Sequence, residues 1–131
     1  MLTKAILKVT DYIFTPTQAS NININGIKDL LNIFEITKRK NPNLELKKIF
    51  IVRAIKNTNA YKNFSAQLKN YFHKDQFTNI CIREDQNIIN SMSKKSDIFK
   101  YRALSNAAID YQNLVIEFLN SINFKRSIHD N

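Results

Sequence analysis

The chain has 131 residues, a hydrophobic fraction of 44% and a formal net charge of +9. This length fits one domain with a single core, and no apolar run approaches the roughly 20 residues that a transmembrane helix needs. The single cysteine, Cys81, excludes an internal disulfide and a cysteine-based metal cluster, and its apolar neighbours indicate a buried thiol.

The first half of the chain alternates between helical and strand patterns. Apolar side chains at helical spacing predict an opening helix, at Leu2, Ala5, Ile6 and Val9. The apolar run at residues 11–16 then predicts a buried strand that ends at Pro16. After a polar loop, a second amphipathic helix should extend to about Lys40, where Asn41 and Pro42 close it. The apolar positions of this helix are Ile27, Leu30, Leu31 and Phe34.

The second half continues the alternation. Residues 46–54 contain a continuous apolar run, as expected of a parallel strand that is covered on both faces. A helix is predicted at residues 61–72 and a third strand at residues 77–82. A short helix capped by Glu84 or Asp85 should follow, and a basic connector leads to a long last helix. The predicted buried stripe of the last helix is Leu104, Ala108, Tyr111, Val115, Phe118 and Ile122, widened by Ala107 and Leu114.

This order of elements predicts an α/β fold. About three parallel strands and their amphipathic helices should form a partial three-layer arrangement. The single domain should comprise residues 1–122, followed by a polar basic tail at residues 123–131. Helical spacing that begins at residue 2, together with one uncovered sheet edge, indicates part of a larger fold.

Several short motifs occur in an order that matches one protein family. They are the Asp-to-Pro strand at residues 11–16, Gly26 with the apolar residues after it, Asn57 with Thr58, residues 77–83, and residues 107–111 with Leu114 and Glu117. This succession resembles the carboxyl-terminal half of the ParA-type plasmid and chromosome partition ATPases, which have a P-loop (ParA/MinD-like) domain. The similarity covers nearly the whole chain, with matching order and spacing.

The resemblance implies a role in DNA segregation. Members of the family use ATP and Mg²⁺, dimerise on ATP, bind DNA without sequence preference and are stimulated by a ParB-type partner. Their phosphate-binding loop is rich in glycine, whereas this chain has one glycine, Gly26, placed before a predicted helix. The acidic residues that hold Mg²⁺ in the family precede the matching half. We therefore expect no ATP hydrolysis and no cofactor for this chain alone.

Five cations that follow the predicted third strand are the candidate DNA-binding residues, because clustered cations bind phosphates. They are Arg83, Lys94, Lys95, Lys100 and Arg102. The resemblance also implies a nucleotide-base side at Arg53, Asn57 and Thr58. The net positive charge supports DNA binding, although an AT-rich coding sequence would also enrich Lys, Asn and Ile.

We expect the protein to be cytoplasmic, because its first residues do not resemble a signal peptide, and we expect it not to bind membranes. Two hypotheses follow for its function. In the first, it is a truncated ParA-like plasmid partition protein that binds DNA non-specifically, or docks on a ParB-type protein or a full-length ParA-like subunit through its sheet edge. In the second, it is a non-catalytic protein-interaction module, or a decayed product without DNA-binding activity.

Overall fold

A computed structural model describes residues 2–123, apart from the side chains of Asn21 and Ile22. The predicted tail at residues 123–131 therefore lies outside the described residues, except for Asn123. In chain order the elements are α1 (Leu2–Leu7), β1 (Tyr12–Gln18), α2 (Asn21–Lys38), β2 (Glu45–Val52), α3 (Asn59–Leu68), a 3₁₀ turn (Lys74–Gln76), α4 (Gln86–Ser93), α5 (Ile98–Tyr101) and α6 (Asn106–Ser121). The predicted α/β class is confirmed.

Strands β1 and β2 pair in parallel, from Tyr12 opposite Glu45 to Gln18 opposite Val52. The prediction that the first strand ends at Pro16 is wrong, because β1 continues through the proline to Gln18. Within the described residues β1 pairs only with β2, so it is an edge strand. A sheet tolerates proline at its edge because the missing N–H can belong to the unpaired side of the strand.

The predicted third strand at residues 77–82 is not a strand. The chain from residue 77 to residue 85, here called segment 77–85, meets β2 through two isolated parallel bridges, Ile49 with Phe77 and Ala54 with Arg83. Segment 77–85 advances six residues between these bridges while β2 and the residues after it advance five. One residue is therefore surplus, as in a β-bulge, and the regular ladder is interrupted.

Strand β2 is covered on both faces, as its apolar run predicts. Ile49 and Ile51 belong to a core cluster that also contains Ile27 of α2 and Phe64 and Leu68 of α3. Successive side chains of a strand point to opposite faces, and accordingly Phe50 belongs to a second cluster with Ile82 and Leu114. Helices α2 and α3 therefore cover one face of β2, and α6 covers the other.

The buried stripe of α6 differs from the predicted one. Leu104 precedes the helix and is 88% exposed, and Val115 is half-exposed. The buried residues of the helix are Ala107, Ala108, Asp110 and Leu114, and Tyr111 and Phe118 are partly buried against the second cluster. A buried aspartate thus occupies the stripe, which an apolar pattern cannot indicate.

The opening helix is present but short. Of α1, only Leu7 is buried, whereas Leu2 and Ile6 of the predicted stripe are exposed. The end of α1 is attached to the α2–β2 connection, because Asn41 Nδ2 donates to the carbonyl oxygens of Leu7 (3.1 Å) and Thr10 (2.8 Å).

Replacing Phe118 should destabilise the packing of α6 on the sheet. Its ring stacks on Phe14 with a centroid separation of 4.2 Å and meets Phe50 edge-on at 5.3 Å. We expect Phe118→Ala to lower the free energy of unfolding by about 3 kcal/mol, measured by urea denaturation. Leu119→Ala, at the more exposed neighbouring position, is the control. Equal losses in the two variants would contradict this packing.

Candidate nucleic-acid interface

Two carboxylates of α6 bind the interrupted part of segment 77–85. Glu117 Oε1 accepts a hydrogen bond from the backbone N–H of Asn79 (2.8 Å), and Oε2 accepts one from Ile80 (3.3 Å). These two amides lie between the bridges to β2. Glu117 therefore supplies acceptors where segment 77–85 has left the ladder.

Asp110, two turns before Glu117, binds Arg83 through three hydrogen bonds. Its Oδ2 accepts from the backbone N–H of Arg83 (3.0 Å) and from Nε (2.9 Å), and Oδ1 accepts from Nη2 (2.9 Å). Burial acts to raise the pKa of Asp110, but the hydrogen bonds and charge of Arg83 hold that pKa below its ordinary value. Arg83, a candidate DNA contact, is thus engaged in an internal ion pair, and we remove it from the set.

Asp85 joins the first turns of α4 and α6. Its Oδ1 caps α4 by accepting from the backbone N–H of Asn87 (2.9 Å), as the sequence predicted for this position. Its Oδ2 accepts from the backbone N–H of Ala107 in α6 (2.9 Å). Although burial acts to raise the pKa of Asp85, these N–H donors lower it. The start of α4 is consequently fixed on α6.

The remaining four candidate cations lie after α4 and around α5. Lys94 and Lys95 directly follow α4, Lys100 lies in α5, and Arg102 follows α5. We call these four residues the α4–α5 cationic surface. All four side chains are exposed, and α4 contacts α5. Three of the four cations thus lie in the connector that the sequence predicted, and Lys100 lies in its short helix.

Little negative charge opposes this surface. Lys100 Nζ lies 3.9 Å from Asp97 Oδ2, a carboxylate that also caps α5 by accepting from the backbone N–H of Lys100 (2.8 Å). Lys94, Lys95 and Arg102 form no ion pair with any residue in the 2–123 range. Residues 86–104 contain these four cations and one acidic residue, Asp97.

Lys95 occupies a backbone position that glycine usually takes. Its φ is 51°, in the left-handed region. The N–H of Lys95 donates to the carbonyl of Met92 (3.0 Å) and that of Ser96 donates to Ser91 (3.0 Å), which is the hydrogen-bond pattern of a Schellman motif. A lysine here carries a backbone penalty that glycine avoids.

The residues predicted for a nucleotide-base side lie near the carboxyl ends of the strands. Arg53 and Thr58 line an open cleft of about 320 Å³, together with Glu84 and Gln18. Arg53 pairs with Glu84, with Nε–Oε2 at 3.2 Å and Nη2–Oε1 at 3.3 Å. Thr58 caps α3 through the backbone N–H of Tyr61 (3.2 Å), and Asn57 lies in the exposed turn before it. Arg53 and Thr58 thus have structural partners already.

Cys81 is a half-buried free thiol beside Tyr61. Burial, and then the charge and hydrogen bond of Cys81, raise the pKa of Tyr61. The predicted burial of the thiol is therefore partial, because segment 77–85 packs against the core without forming a strand.

The sequence analysis did not predict that Asp85, Asp110 and Glu117 accept hydrogen bonds from backbone N–H groups of other segments. A usable indication was present, since Asp110 and Glu117 are seven residues apart on an amphipathic helix, and i, i+7 positions share a face. Acidic residues beside an apolar stripe need buried partners. The identity of those partners, backbone amides of a distant segment, is a tertiary feature.

The Asp110–Arg83 contact predicts how stability depends on pH. Asp110→Asn should lower the free energy of unfolding by about 2 kcal/mol near pH 7, the typical loss for a hydrogen bond to a charged group. The folded-state pKa of Asp110 lies below the unfolded value of about 3.9. Its stabilisation is therefore complete above the unfolded pKa and is lost as the pH falls through the folded pKa.

Urea denaturation of both proteins across this range measures the effect. The difference between wild type and Asp110→Asn should shrink below about pH 4. Asp29→Asn, at an exposed position of α2, is the control and should have little effect. A difference that stayed constant down to the lowest pH would contradict the assigned role of the carboxylate.

Lys95→Gly should stabilise the chain. Glycine adopts a φ of 51° without the penalty of a side chain, so we expect a gain of about 1 kcal/mol in the free energy of unfolding. Lys94→Gly is the matched control, because Lys94 has a φ of −87° and gains nothing from glycine. If Lys95→Gly destabilised as much as Lys94→Gly, the left-handed conformation would be contradicted.

Comparison with known proteins adds no relative to this description. No family model matches the chain, and no curated protein matches it. None of the helices within residues 2–123 is both long and apolar enough to cross a membrane. Function is therefore inferred from the charges and contacts of the chain itself.

Proposed function

We propose that this chain is a ParA-like DNA-segregation protein that lacks the phosphate-binding loop and binds DNA non-specifically through the α4–α5 cationic surface. The observation that carries the proposal is the exposure of Lys94, Lys95, Lys100 and Arg102 with one weakly placed carboxylate among them. The net charge of +9 supports it, because a cationic chain attracts a polyanion over a long range.

Local charge balance distinguishes this surface from an ordinary solvated helix end. The neighbouring carboxylates Asp85 and Asp110 accept hydrogen bonds from the chain itself, and Asp110 neutralises Arg83. Neither carboxylate forms an ion pair with Lys94, Lys95 or Arg102. Each of these cations can instead neutralise a phosphate and release a condensed counterion, which is the main source of non-specific DNA affinity.

ATP hydrolysis is not part of the proposal. Gly26 lies within α2, whereas a phosphate-binding loop of the P-loop type needs several glycines and a lysine between a strand and a helix. Arg53 and Thr58 line the cleft at the carboxyl ends of the strands, where open α/β sheets bind ligands. In this proposal the cleft is a structural feature of the ParA-like fold without a catalytic role, and DNA binding is the activity that the chain has.

A second candidate function is that of a protein-interaction module. The specific observation that favours it is the unpaired side of β1, since an exposed edge strand can accept a strand from another chain. A full-length ParA-like subunit or a ParB-type protein would be the partner in that case. Pro16 removes one donor from this edge, which limits the pairing that β1 can offer.

The DNA proposal predicts a change in the salt dependence of binding. Binding of wild type to random-sequence duplex DNA should weaken with salt, and Lys94→Gln with Lys95→Gln should reduce the slope of log K against log salt by about 2, from about 0.9 per phosphate contact. The measurement is fluorescence anisotropy of a labelled duplex across a salt series.

The control is a double variant that removes the same charge elsewhere. Lys8 of the α1–β1 connection and Lys62 of α3 are exposed, so Lys8→Gln with Lys62→Gln should leave the slope nearly unchanged. Absence of binding at low salt would overturn the proposal. An equal change in the two double variants would show that net charge, and not this surface, governs binding.

A further inference from the structure

One aromatic side chain on the α4–α5 cationic surface is unlike the other phenylalanines. Phe99 of α5 is 44% exposed, and it is the only exposed phenylalanine among the described residues. Phe14 and Phe50 both pack against Phe118, and Phe72 packs against Phe77. Phe99 makes no ring contact with any aromatic side chain in residues 2–123. With 44% of the side chain exposed, its ring is accessible to a ligand.

Other apolar side chains are exposed on the same two helices and the loop that follows them. Met92 of α4 is 71% exposed, and Leu104 is exposed still further. Met92 directly precedes Ser93 and the two lysines that end α4, while Phe99 directly precedes Lys100. Apolar groups and cations thus alternate along the chain here, on helices that contact each other.

The phosphates of a duplex require cations alone, because the bases are stacked inside. A single strand also presents the faces of its bases, which stack on aromatic side chains next to a cationic groove. An exposed aromatic ring together with four cations therefore fits single-stranded nucleic acid better than a duplex.

We infer that the α4–α5 cationic surface binds single-stranded nucleic acid in preference to duplex, with a base stacked on Phe99 and phosphates on the four cations. The inference rests on the proposed DNA binding, and it names the form of the nucleic acid. Complementary charge comes from Lys94, Lys95, Lys100 and Arg102, and Asp97 is the one acidic residue in the stretch 86–104. Met92 and Leu104 would contact the apolar faces of neighbouring unpaired bases.

The test compares a labelled 20-nucleotide single strand of mixed sequence with its own duplex by fluorescence anisotropy at one low salt concentration. Wild type should bind the single strand at least about five times more tightly than the duplex, the lower end of the effect of one stacked base. Phe99→Ala should weaken binding to the single strand about tenfold, again from the loss of one stacked base, and change duplex binding by less than twofold.

Two further variants keep the result interpretable. Phe99→Trp retains a stacking face and should bind the single strand at least as well as wild type, which separates stacking from any effect on folding. Tyr71→Ala is the matched control, because Tyr71 is also an exposed aromatic, with Lys28 Nζ 5.7 Å from its ring centroid, but lies outside the surface. It should leave both affinities unchanged.

The outcomes separate the two proposals. Equal or tighter binding of the duplex, with Phe99→Ala silent or acting equally on both ligands, would overturn the single-strand preference while leaving DNA binding in place. If Phe99→Ala weakened duplex binding more than single-strand binding, Phe99 would insert as a wedge into a duplex, and the single-strand preference would also be overturned. Failure of wild type to bind either ligand would overturn both proposals.

Discussion

From one face of α6, the carboxylates of Asp110 and Glu117 accept hydrogen bonds from backbone N–H groups of segment 77–85 that are not paired within the sheet. Without them the N–H groups of Asn79, Ile80 and Arg83 would lose these partners, which is costly for the two that are partly buried, Ile80 and Arg83. Because these acceptors are charged, the bonds are on average stronger than neutral ones. The segment is thus held by α6, which comes about 30 residues later, as well as by backbone bonds to β2 and the residue that follows it closely, such as Ile82 N–H to Ile51 (2.9 Å) and Glu84 N–H to Ala54 (3.1 Å).

This arrangement also determines which charged side chains have no internal ion pair. Asp110 forms its ion pair with Arg83, and Asp85 and Glu117 accept hydrogen bonds from backbone N–H groups. None of the three forms an ion pair with the lysines that follow α4. The bond from Ala107 to Asp85 holds the start of α4 against α6. The same contacts thus help to position an exposed cationic surface, on which the 3.9 Å contact of Lys100 with Asp97 is the one ion pair among the described residues. Fold and proposed binding are connected through these carboxylates.

Local sequence patterns correctly predicted the elements whose structure depends mainly on residues close in the chain. The apolar run of β2, the capping position of Asp85 and the helical spacing of α6 all gave correct elements. The errors occurred where distant groups decide the outcome. A strand was predicted at residues 77–82, but the ladder is broken there and Glu117 takes the freed amides, and Pro16 was expected to end a strand that tolerates it at the sheet edge. For the candidate site, the basic connector that contains Lys94 and Lys95 could be predicted from the sequence. The ion pair of Arg83 could not, because it depends on where the fold places Asp110.

The central claim is that nucleic acid binds at the α4–α5 cationic surface because its four cations are exposed and only Lys100 has a carboxylate near it. Hydrogen exchange of the backbone amides, with and without saturating DNA, tests this claim most directly because it reports on every segment at once. We expect slower exchange at residues 92–104 and little change in α1, α3 or β1. Protection centred on another basic region, or no protection at residues 92–104 when DNA is bound, would contradict the claim.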